Sequence, residues 1–457
     1  MNTPLDRTDR FCIVGAGASG LTVAKNFMAA GIAFDCLERN ADIGGTWNFG
    51  QAGSAIYQST HLISSKALTE YSDFPIPEDF PEFISHEQAL AYLRAYAHEF
   101  GLFERIEFNT PIASIVPESA VPGEAVPEEP VTGNTVANPR SPPFIVTLSN
   151  GEVRRYRGVV VANGHNWDPR WPIFPGHFRG TILHSSQYKT PDVLRGKRVL
   201  VIGGGNSGCD IACEAAQNAT KTFHSLRRGY HYLPKFLLGF PIDRCGERLL
   251  RWRLPLWLRR FVTGRMVKIA LGSPETFGLP KPDHKLLETH PIINSQMLYY
   301  VGHGRISPRP DVTELLADGV RFSDGTEEKL DVIVYATGFK ISFPFMEERF
   351  LNWRNGRPEL FLNVFHPTFD NLFVAGLIQP DSGLWGLVDY QSQLISQFLL
   401  AQQRDRESAE KFRRLKSQAG VDLSAGIHYV NSSRHLLEVE HFTYRRRLRK
   451  LIREFFI

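Results

Sequence analysis

The sequence predicts an α/β protein with two domains that bind dinucleotides. A glycine loop of the form G-x-G-x-x-G follows an apolar strand at Gly15–Gly20, and a second loop of this form follows another apolar strand at Gly203–Gly208. In such loops the glycines allow a tight turn, a close approach of the backbone to a pyrophosphate and close helix packing, as in Rossmann-type domains. A chain of 457 residues also exceeds one ordinary domain, so two domains are expected.

The composition excludes several other classes of protein. Hydrophobic residues make up 42% of the chain and charged residues 22%, which are usual values for a soluble globular protein. The net charge of +4 is small for this length and argues against a nucleic-acid partner. The five cysteines form no C-x-x-C pair, so we expect neither disulfides nor a zinc site, and a cytoplasmic location. Neither a signal peptide nor an apolar segment of bilayer length is expected.

The first glycine loop is followed by an acidic residue at the position that contacts a ribose. The pattern predicts a strand over 10–14, a helix over 21–30 and a second strand over 33–37, which ends at Glu38. A carboxylate about 20 residues after the loop suits a hydrogen bond to a ribose 2′-hydroxyl and would repel a 2′-phosphate. The N–H groups of the helix N-terminus favour a pyrophosphate. This loop is therefore expected to bind FAD or NAD, and not NADP.

The second glycine loop differs at the corresponding place. The pattern predicts a strand over 198–202, a helix over 209–217 and a strand over 221–224 that ends without an acid. Ser225, Arg227 and Arg228 follow instead, and guanidinium groups can bind a 2′-phosphate in a bidentate manner. The alternative is a solvated turn that carries two arginines. The contrast with Glu38 assigns FAD to the first loop and NADPH to the second.

A longer pattern lies between the two loops, Phe178-x-Gly180-x-x-x-His184-x-x-x-Tyr188-Lys189. Its fixed positions match the fingerprint of the flavin-containing monooxygenases, so the chain resembles a class B flavoprotein monooxygenase over nearly its whole length. In that family the Tyr-Lys ending favours oxygenation of soft nitrogen and sulfur atoms over Baeyer–Villiger oxidation. The resemblance implies that this segment holds the two domains together and takes no part in the chemistry.

The resemblance implies a glutathione-reductase-like fold in which the NADPH domain is inserted in the FAD domain. The FAD domain would comprise residues 1–166 and 335–457, and the NADPH domain with a helical insert would comprise 167–334. NADPH would reduce FAD, and reduced flavin would form a C4a-hydroperoxide with O2. A soft N or S nucleophile of a small organic substrate would then take one oxygen atom, as in N,N-dimethylaniline monooxygenases. The cofactors carry this chemistry, so no metal site is expected.

The expected cofactor-binding residues come from the glycine loops and from the resemblance. At the FAD site they are Gly15, Gly17, Ala18, Ser19, Gly20, Glu38, Arg39, Gly45, Thr46, Trp47 and Gln379. At the NADPH site they are Gly203, Gly205, Asn206, Ser207, Gly208, Ser225, Arg227 and Arg228, and the return to the flavin domain adds Ala336, Thr337 and Gly338. For Gly45–Trp47, a glycine turn with a core tryptophan is the alternative.

One departure from the family concerns an asparagine beside the reactive position of the flavin. Counting back from Ser65 and Lys66 places Ile63 at this position, whereas counting from Thr60 places His61 there. These two residues are the candidate catalytic positions. The missing asparagine favours one alternative, an NADPH oxidase that releases H2O2. A Baeyer–Villiger monooxygenase and a non-enzymatic, redox-sensing flavoprotein also stay open.

Three further segments carry predictions of their own. Residues 249–271, with Trp252, Trp257 and Phe261, predict an amphipathic helix that lies on a membrane surface, covers the substrate route or packs on its own domain. The basic tail 444–457 predicts a docked terminal helix, with a membrane contact as the alternative. Residues 117–143 predict a mobile loop between two strands. A peripheral membrane contact and a homodimer therefore stay open.

Overall fold

A seven-stranded sheet contains the first glycine loop. The computed structural model describes residues 3–120, 140–252, 254–418 and 421–456. In spatial order the sheet consists of Ile106–Glu107, Phe34–Leu37, Leu5–Val14, Val153–Val161, Phe144–Leu148 and Ile112–Pro117, with Leu372–Val374 also paired to Val153–Val161. The pairs that involve Phe144–Leu148 are antiparallel, and the others are parallel. The predicted loop 117–143 lies mainly outside the described residues.

The elements around the first glycine loop follow from its local sequence. Phe11, Cys12, Ile13 and Val14 are all buried, as expected for a parallel strand that is covered on both faces. The helix Ala18–Ala29 begins earlier than the predicted helix over 21–30, because the last turn of the glycine loop is already helical. The predicted strand over 33–37 is confirmed as Phe34–Leu37.

A five-stranded parallel sheet contains the second glycine loop. Its spatial order is Ile306–Arg309, Lys221–Ser225, Arg198–Ile202, Val332–Tyr335 and Thr181–His184. The helix Asn206–Asn218 follows the loop, and an antiparallel sheet of Val312–Leu316, Gly319–Phe322 and Glu327–Lys329 follows the sheet's edge strand. The predicted strand over 198–202 is confirmed at both ends. The domain limits stay a prediction.

The insert between Ser225 and Ile306 is partly helical. Its short strands are Tyr232–Leu233, Phe236–Leu237, Phe240–Pro241 and Ile292–Ile293, and its helices are Ile242–Arg251, Leu256–Leu271 and Met297–Gly302. The prediction of one amphipathic helix over 249–271 is wrong, because two helices meet there at Pro255. Proline lacks the N–H group and crowds the preceding turn, so the helix cannot continue through Pro255 and the second helix begins after it.

The remaining helices cover the first sheet. They are Lys66–Thr69, His86–Glu99, Trp385–Arg404, Arg406–Lys416 and His441–Phe456. Short strand pairs join Asp168–Pro169 to Phe339–Lys340, Trp353–Arg354 to Arg357–Pro358 and Gln379–Pro380 to Glu438–Val439. The terminal helix docks on the protein as predicted, since Tyr444, Leu448, Leu451 and Ile452 are buried. None of the described helices combines the length and the apolar composition needed to cross a bilayer.

Candidate dinucleotide sites

The first glycine loop leaves the N-terminus of the helix Ala18–Ala29 open to a ligand. A β-carbon on Gly20 would lie 1.8 Å from the carbonyl oxygen of Gly15, so only glycine allows this turn. The helix begins after Gly17, and no side chain caps its first N–H groups. Uncapped N–H groups at a helix N-terminus, together with the helix dipole, favour a phosphate.

The loops expected around the FAD are brought together at this helix. A β-carbon on Gly45 would lie 3.1 Å from the α-carbon of Gly17, and one on Gly376 would lie 2.3 Å from Ser19 Oγ. The turn Gly45–Trp47 therefore lies against the first glycine loop. The ring of Trp47 is half-buried and meets Trp385 edge to face at 5.9 Å, so it packs against the aromatic core, and its contact with the flavin stays a prediction.

Glu38 is held beside the first glycine loop. Its side chain is buried, and its carboxylate accepts hydrogen bonds from the N–H groups of Ala16 at 2.7 Å and Asn40 at 2.9 Å. The carboxylate is thereby fixed at the end of the strand Phe34–Leu37, where a ribose contact is predicted. Arg39 lies farther out, with its guanidinium 5.4 Å from the ring of Trp167.

The second glycine loop repeats the geometry of the first. A β-carbon on Gly208 would lie 1.9 Å from the carbonyl oxygen of Gly203, and the helix Asn206–Asn218 begins after Gly205 without a side-chain cap. The side chain of Asn206 contacts the insert, because its Nδ2 donates to Pro291 O at 2.9 Å and its Oδ1 accepts from Ile293 N at 2.8 Å. These two hydrogen bonds hold the Asn206 side chain against the insert, and its contact with a cofactor stays a prediction.

The three residues predicted at the 2′-phosphate have different surroundings. Ser225 is buried and donates its only hydroxyl proton to Pro310 O at 2.8 Å, so it has no proton left for a phosphate in this structure. Arg227 is exposed, and Arg228 is half-buried and pairs with Asp283 at 3.2 Å. The two guanidinium groups, without the hydroxyl, remain the predicted phosphate ligands.

Comparisons with known proteins agree with this geometry. A family model described as flavin-binding monooxygenase-like matches residues 8–411. The chain belongs to this family. Flavin-containing monooxygenase 2 of Homo sapiens is 34% identical over 406 residues, which cover 85% of this chain and 72% of that protein. Flavin-containing monooxygenase 5 of Mus musculus is 32% identical over 452 residues, which cover 94% of this chain and 80% of that protein.

Solved structures share the fold of this flavin-binding monooxygenase. S-allyl-L-cysteine S-oxygenase from Allium sativum has a TM-score of 0.64 at 20% identity and covers 99% of this chain and 90% of its own. An oxidized steroid monooxygenase bound to NADP has a TM-score of 0.69 at 18% identity, with 98% and 99% covered. The comparisons confirm the predicted family, the fold class, the enzyme class of an FAD-dependent, NADPH-using monooxygenase, and both cofactors.

The segment Phe178–Lys189 joins the two dinucleotide sites of the monooxygenase. His184 Nε2 lies 3.1 Å from Gly338 O, and the hydroxyl of Tyr188 donates to Glu214 at 2.6 Å. Lys189 Nζ donates to the carbonyl oxygens of Ser54 at 2.8 Å and Ile56 at 3.0 Å. These contacts agree with the prediction that the segment holds the domains together. Burial lowers the pKa of both His184 and Lys189.

The helix after the second glycine loop also contacts the first domain directly. The hydroxyl of Tyr57 donates to Asp210 at 3.1 Å, and Asn294 Nδ2 donates to the same carboxylate at 2.7 Å. Burial raises the pKa of Asp210. Nothing in the local sequence singles out Asp210, because acidic residues are common in helices and its partners are distant in the chain.

The segment Ala336–Gly338 connects the second sheet to the rest of the chain. Ala336 N donates to Ile202 O at 2.8 Å, beside the second glycine loop. Thr337 Oγ1 donates to Arg170 O at 2.5 Å, and Gly338 O is the partner of His184. These contacts place the segment beside the second glycine loop, and its contact with a cofactor stays a prediction.

The two candidate catalytic residues, His61 and Ile63, have different surroundings. His61 is exposed, and its Nδ1 lies 2.9 Å from Ser59 O. Ile63 packs against an apolar cluster of the insert formed by Leu233, Leu237, Ile242 and Ile293. The structure therefore directs Ile63 toward the insert and His61 toward solvent.

Asp243 connects the insert to two segments expected beside the flavin ring. Its carboxylate accepts hydrogen bonds from Ser65 N at 2.7 Å, Ser65 Oγ at 2.9 Å and Ser382 Oγ at 3.3 Å. Ser65 follows Ile63 closely, and Ser382 follows Gln379, whose N–H donates to Leu437 O at 2.7 Å. These contacts hold the start of the helix Ile242–Arg251 against both segments, and the alternatives for residues 249–271 stay predictions. No local pattern singles out Asp243, since acids are common in the first turn of a helix.

Proposed function

We propose that the protein uses NADPH and O2 to oxygenate a soft nitrogen or sulfur nucleophile of a small organic substrate. The observation that carries the proposal is the Tyr188-Lys189 ending of the joining segment, which contacts the 54–56 backbone and the helix behind the second glycine loop. A relative from Pan troglodytes, 34% identical and matched over 85% of this chain, is named an N-oxide-forming dimethylaniline monooxygenase. This name supports nitrogen as an acceptor.

The residues of the chain would bind and orient the cofactors and exclude water. When bound, the flavin supplies the oxygen-activating chemistry and the nicotinamide supplies the hydride. Two features of the backbone fit the phosphates of the cofactors. One is the pair of open helix N-termini after Gly17 and Gly205, and the other is the close approach of Gly17 and Gly45. Asp243 holds the apolar cluster of the insert beside Ile63, and this cover would keep water from the reacting groups.

A substrate panel tests the proposal. With a tertiary amine or a thioether, we expect the amount of N-oxide or sulfoxide formed to be nearly equal to the amount of NADPH consumed. A cyclic ketone should give no lactone. Product formed per NADPH consumed is the quantity to measure, by chromatography alongside the absorbance of NADPH. Lactone formation without N- or S-oxide would overturn the choice of substrate class.

An NADPH oxidase that releases H2O2 is the second candidate function. The apolar contacts of Ile63 and the exposure of His61 favour it, because neither side chain offers the amide that the family has beside the flavin. The same panel separates the two functions. If the amount of H2O2 formed equals the amount of NADPH consumed, both in the presence of each substrate and in the absence of any substrate, the protein is the oxidase. A fall in H2O2 that matches the rise in oxygenated product identifies the monooxygenase.

A peripheral contact with an anionic membrane surface is also proposed. The insert exposes 70% of Trp252, 69% of Trp257 and 83% of Ile269. Next to it, a groove of about 600 Å³ between the helices Ile242–Arg251 and His441–Phe456 is lined by cations, namely Arg251, Arg445, Arg446, Arg449, Lys450 and Arg453, with Glu247 and Glu454. Exposed aromatic rings beside basic side chains suit a surface of anionic lipid. A homodimer and a cytoplasmic location stay predictions.

Sedimentation with lipid vesicles tests the membrane contact. We expect the protein to bind vesicles that contain phosphatidylserine and not vesicles of phosphatidylcholine alone, with binding reduced by salt. The double variant Trp252→Ser/Trp257→Ser should lose most of this binding. The matched control is Ile173→Ser, which replaces a residue that is 97% exposed outside this surface. Equal binding of the double variant and the control would contradict the proposal.

A further inference from the structure

Arg434 lies over the second glycine loop although it belongs to the C-terminal third of the chain. One terminal nitrogen of its guanidinium lies 3.4 Å from the position that a β-carbon on Gly205 would occupy. Gly205 is the residue from which the helix Asn206–Asn218 begins. The guanidinium therefore lies beside the open N–H groups of the loop, which would bind a phosphate.

The segment that carries Arg434 runs from the first site to the second. At one end Glu438–Val439 pairs with Gln379–Pro380, the loop that holds the candidate flavin-ring contact. At the other end Val430 N donates to Glu288 O of the insert at 2.8 Å. Between these points the side chain of Arg170 donates to Ser433 Oγ. Hydrogen bonds on both sides thus fix the backbone of Arg434 above the loop.

The surroundings of the Arg434 guanidinium differ from those of Arg228. Among the residues that the structure describes, no carboxylate lies within ion-pair distance of its guanidinium, which instead faces the ring of Tyr230 at 6.0 Å. Arg228, in contrast, is already paired with Asp283. A half-buried guanidinium without an acidic partner, next to an uncapped helix N-terminus, forms a surface that favours an anion.

We propose that Arg434 binds the pyrophosphate of the nicotinamide dinucleotide at the second glycine loop. The C-terminal segment would then close over the cofactor and connect its binding to the flavin site. This inference rests on the proposed function, which assigns NADPH to the second loop. It names a residue for the phosphates that NAD and NADP share, whereas Arg227 and Arg228 are predicted to contact the 2′-phosphate that only NADP carries.

Binding of two nucleotides to the oxidised, FAD-loaded enzyme distinguishes these roles. The dissociation constants of NADP+ and NAD+ are measured by titration calorimetry for the wild type, Arg434→Ala, Arg434→Lys, Arg228→Ala and Arg195→Ala. We expect Arg434→Ala to weaken both nucleotides by the same factor, about ten- to a hundredfold, as for the loss of a charge-assisted hydrogen bond. Arg434→Lys should lose less, because it keeps the charge without the bidentate geometry.

The other two variants serve as comparisons. Arg228→Ala should weaken NADP+ and leave NAD+ unchanged. Arg195→Ala, which removes an exposed cation from a surface pair with Asp192, should leave both dissociation constants unchanged. The ratio of the two constants therefore separates an arginine at the pyrophosphate from one at the 2′-phosphate.

The measured dissociation constants support or overturn the inference as follows. Unchanged binding of both nucleotides by Arg434→Ala overturns the inference, and so does a loss confined to NADP+. If Arg434→Ala loses FAD, Arg434→Gln and Arg434→Lys replace it: weaker binding by the glutamine variant than by the lysine variant supports the inference, and equal binding overturns it. A wild-type enzyme that holds FAD and binds neither nucleotide would refute the proposed function itself, which is distinguishable from these results.

Discussion

Gly20→Ala is expected to give a protein that holds no flavin and oxidises no NADPH. The new β-carbon would lie 1.8 Å from the carbonyl oxygen of Gly15, a distance at which the backbone itself must move. The helix Ala18–Ala29 would have to shift away from the loop, and its N–H groups would no longer meet the pyrophosphate. The visible absorption of bound flavin relative to the protein absorption measures the loss.

Two further glycine substitutions serve as controls for this result. Gly208→Ala places a β-carbon 1.9 Å from Gly203 O in the second loop, so it should keep the flavin and lose reduction of that flavin by NADPH. Gly264→Ala lies in the helix Leu256–Leu271 with nothing within 4 Å of the added carbon, and should change neither property. Flavin bound by Gly20→Ala at the wild-type level would contradict the assignment of the first loop.

Asp370→Ala is expected to lower the free energy of unfolding by about 3–5 kcal/mol, the usual cost of breaking a buried ion pair. Asp370 is fully buried and pairs with Lys416 at 3.0 Å and with Arg413 at 2.6 Å. The exposed fraction of the Lys416 side chain is only 1%, so its charge would lose its acidic partner without gaining water. The midpoint of urea denaturation, followed by fluorescence, measures the change.

The pH dependence of this variant gives a second reading of the same ion pair. Burial lowers the pKa of Lys416, and the attraction of Asp370 opposes that shift. Without Asp370 the folded-state pKa falls further below the unfolded value, so the unfolded chain binds more protons. The stability deficit should therefore shrink as the pH rises from the lowered pKa toward the ordinary lysine value. Asp192→Ala, which breaks an exposed pair with Arg195, should show little deficit at any pH.

Elements whose cause is local were predicted well from the sequence. The strand Arg198–Ile202 consists of one arginine and the apolar run 199–202, with the glycine loop directly after it, and its ends agree with the prediction. Where the prediction differs, a neighbouring turn decides the limit: the helix Ala18–Ala29 starts inside the glycine loop, and Pro255 divides the predicted helix over 249–271. Glycine and proline act through their own backbone geometry, so short stretches of sequence record their effects.

Contacts between distant segments could not be predicted in this way. The hydroxyl of Ser225 donates to Pro310 O, and the carboxylate of Asp243 holds Ser65 and Ser382. The position of Arg434 over Gly205 likewise depends on how the C-terminal segment crosses the second domain. In each case the two partners are distant in the sequence, and the packing of the two sheets and their connecting segments brings them together.

By itself, the sequence determined the fold class, the family and the contrast between Glu38 at the first loop and the arginines at the second. These features depend on residue type and spacing over a few dozen residues, within which backbone conformation is set locally. Only the tertiary structure shows that Arg228 pairs with Asp283 and that the guanidinium of Arg434 lies beside Gly205. The physical reason is that an ion pair requires two groups within a few ångströms of each other, and only the packing of remote segments sets that distance.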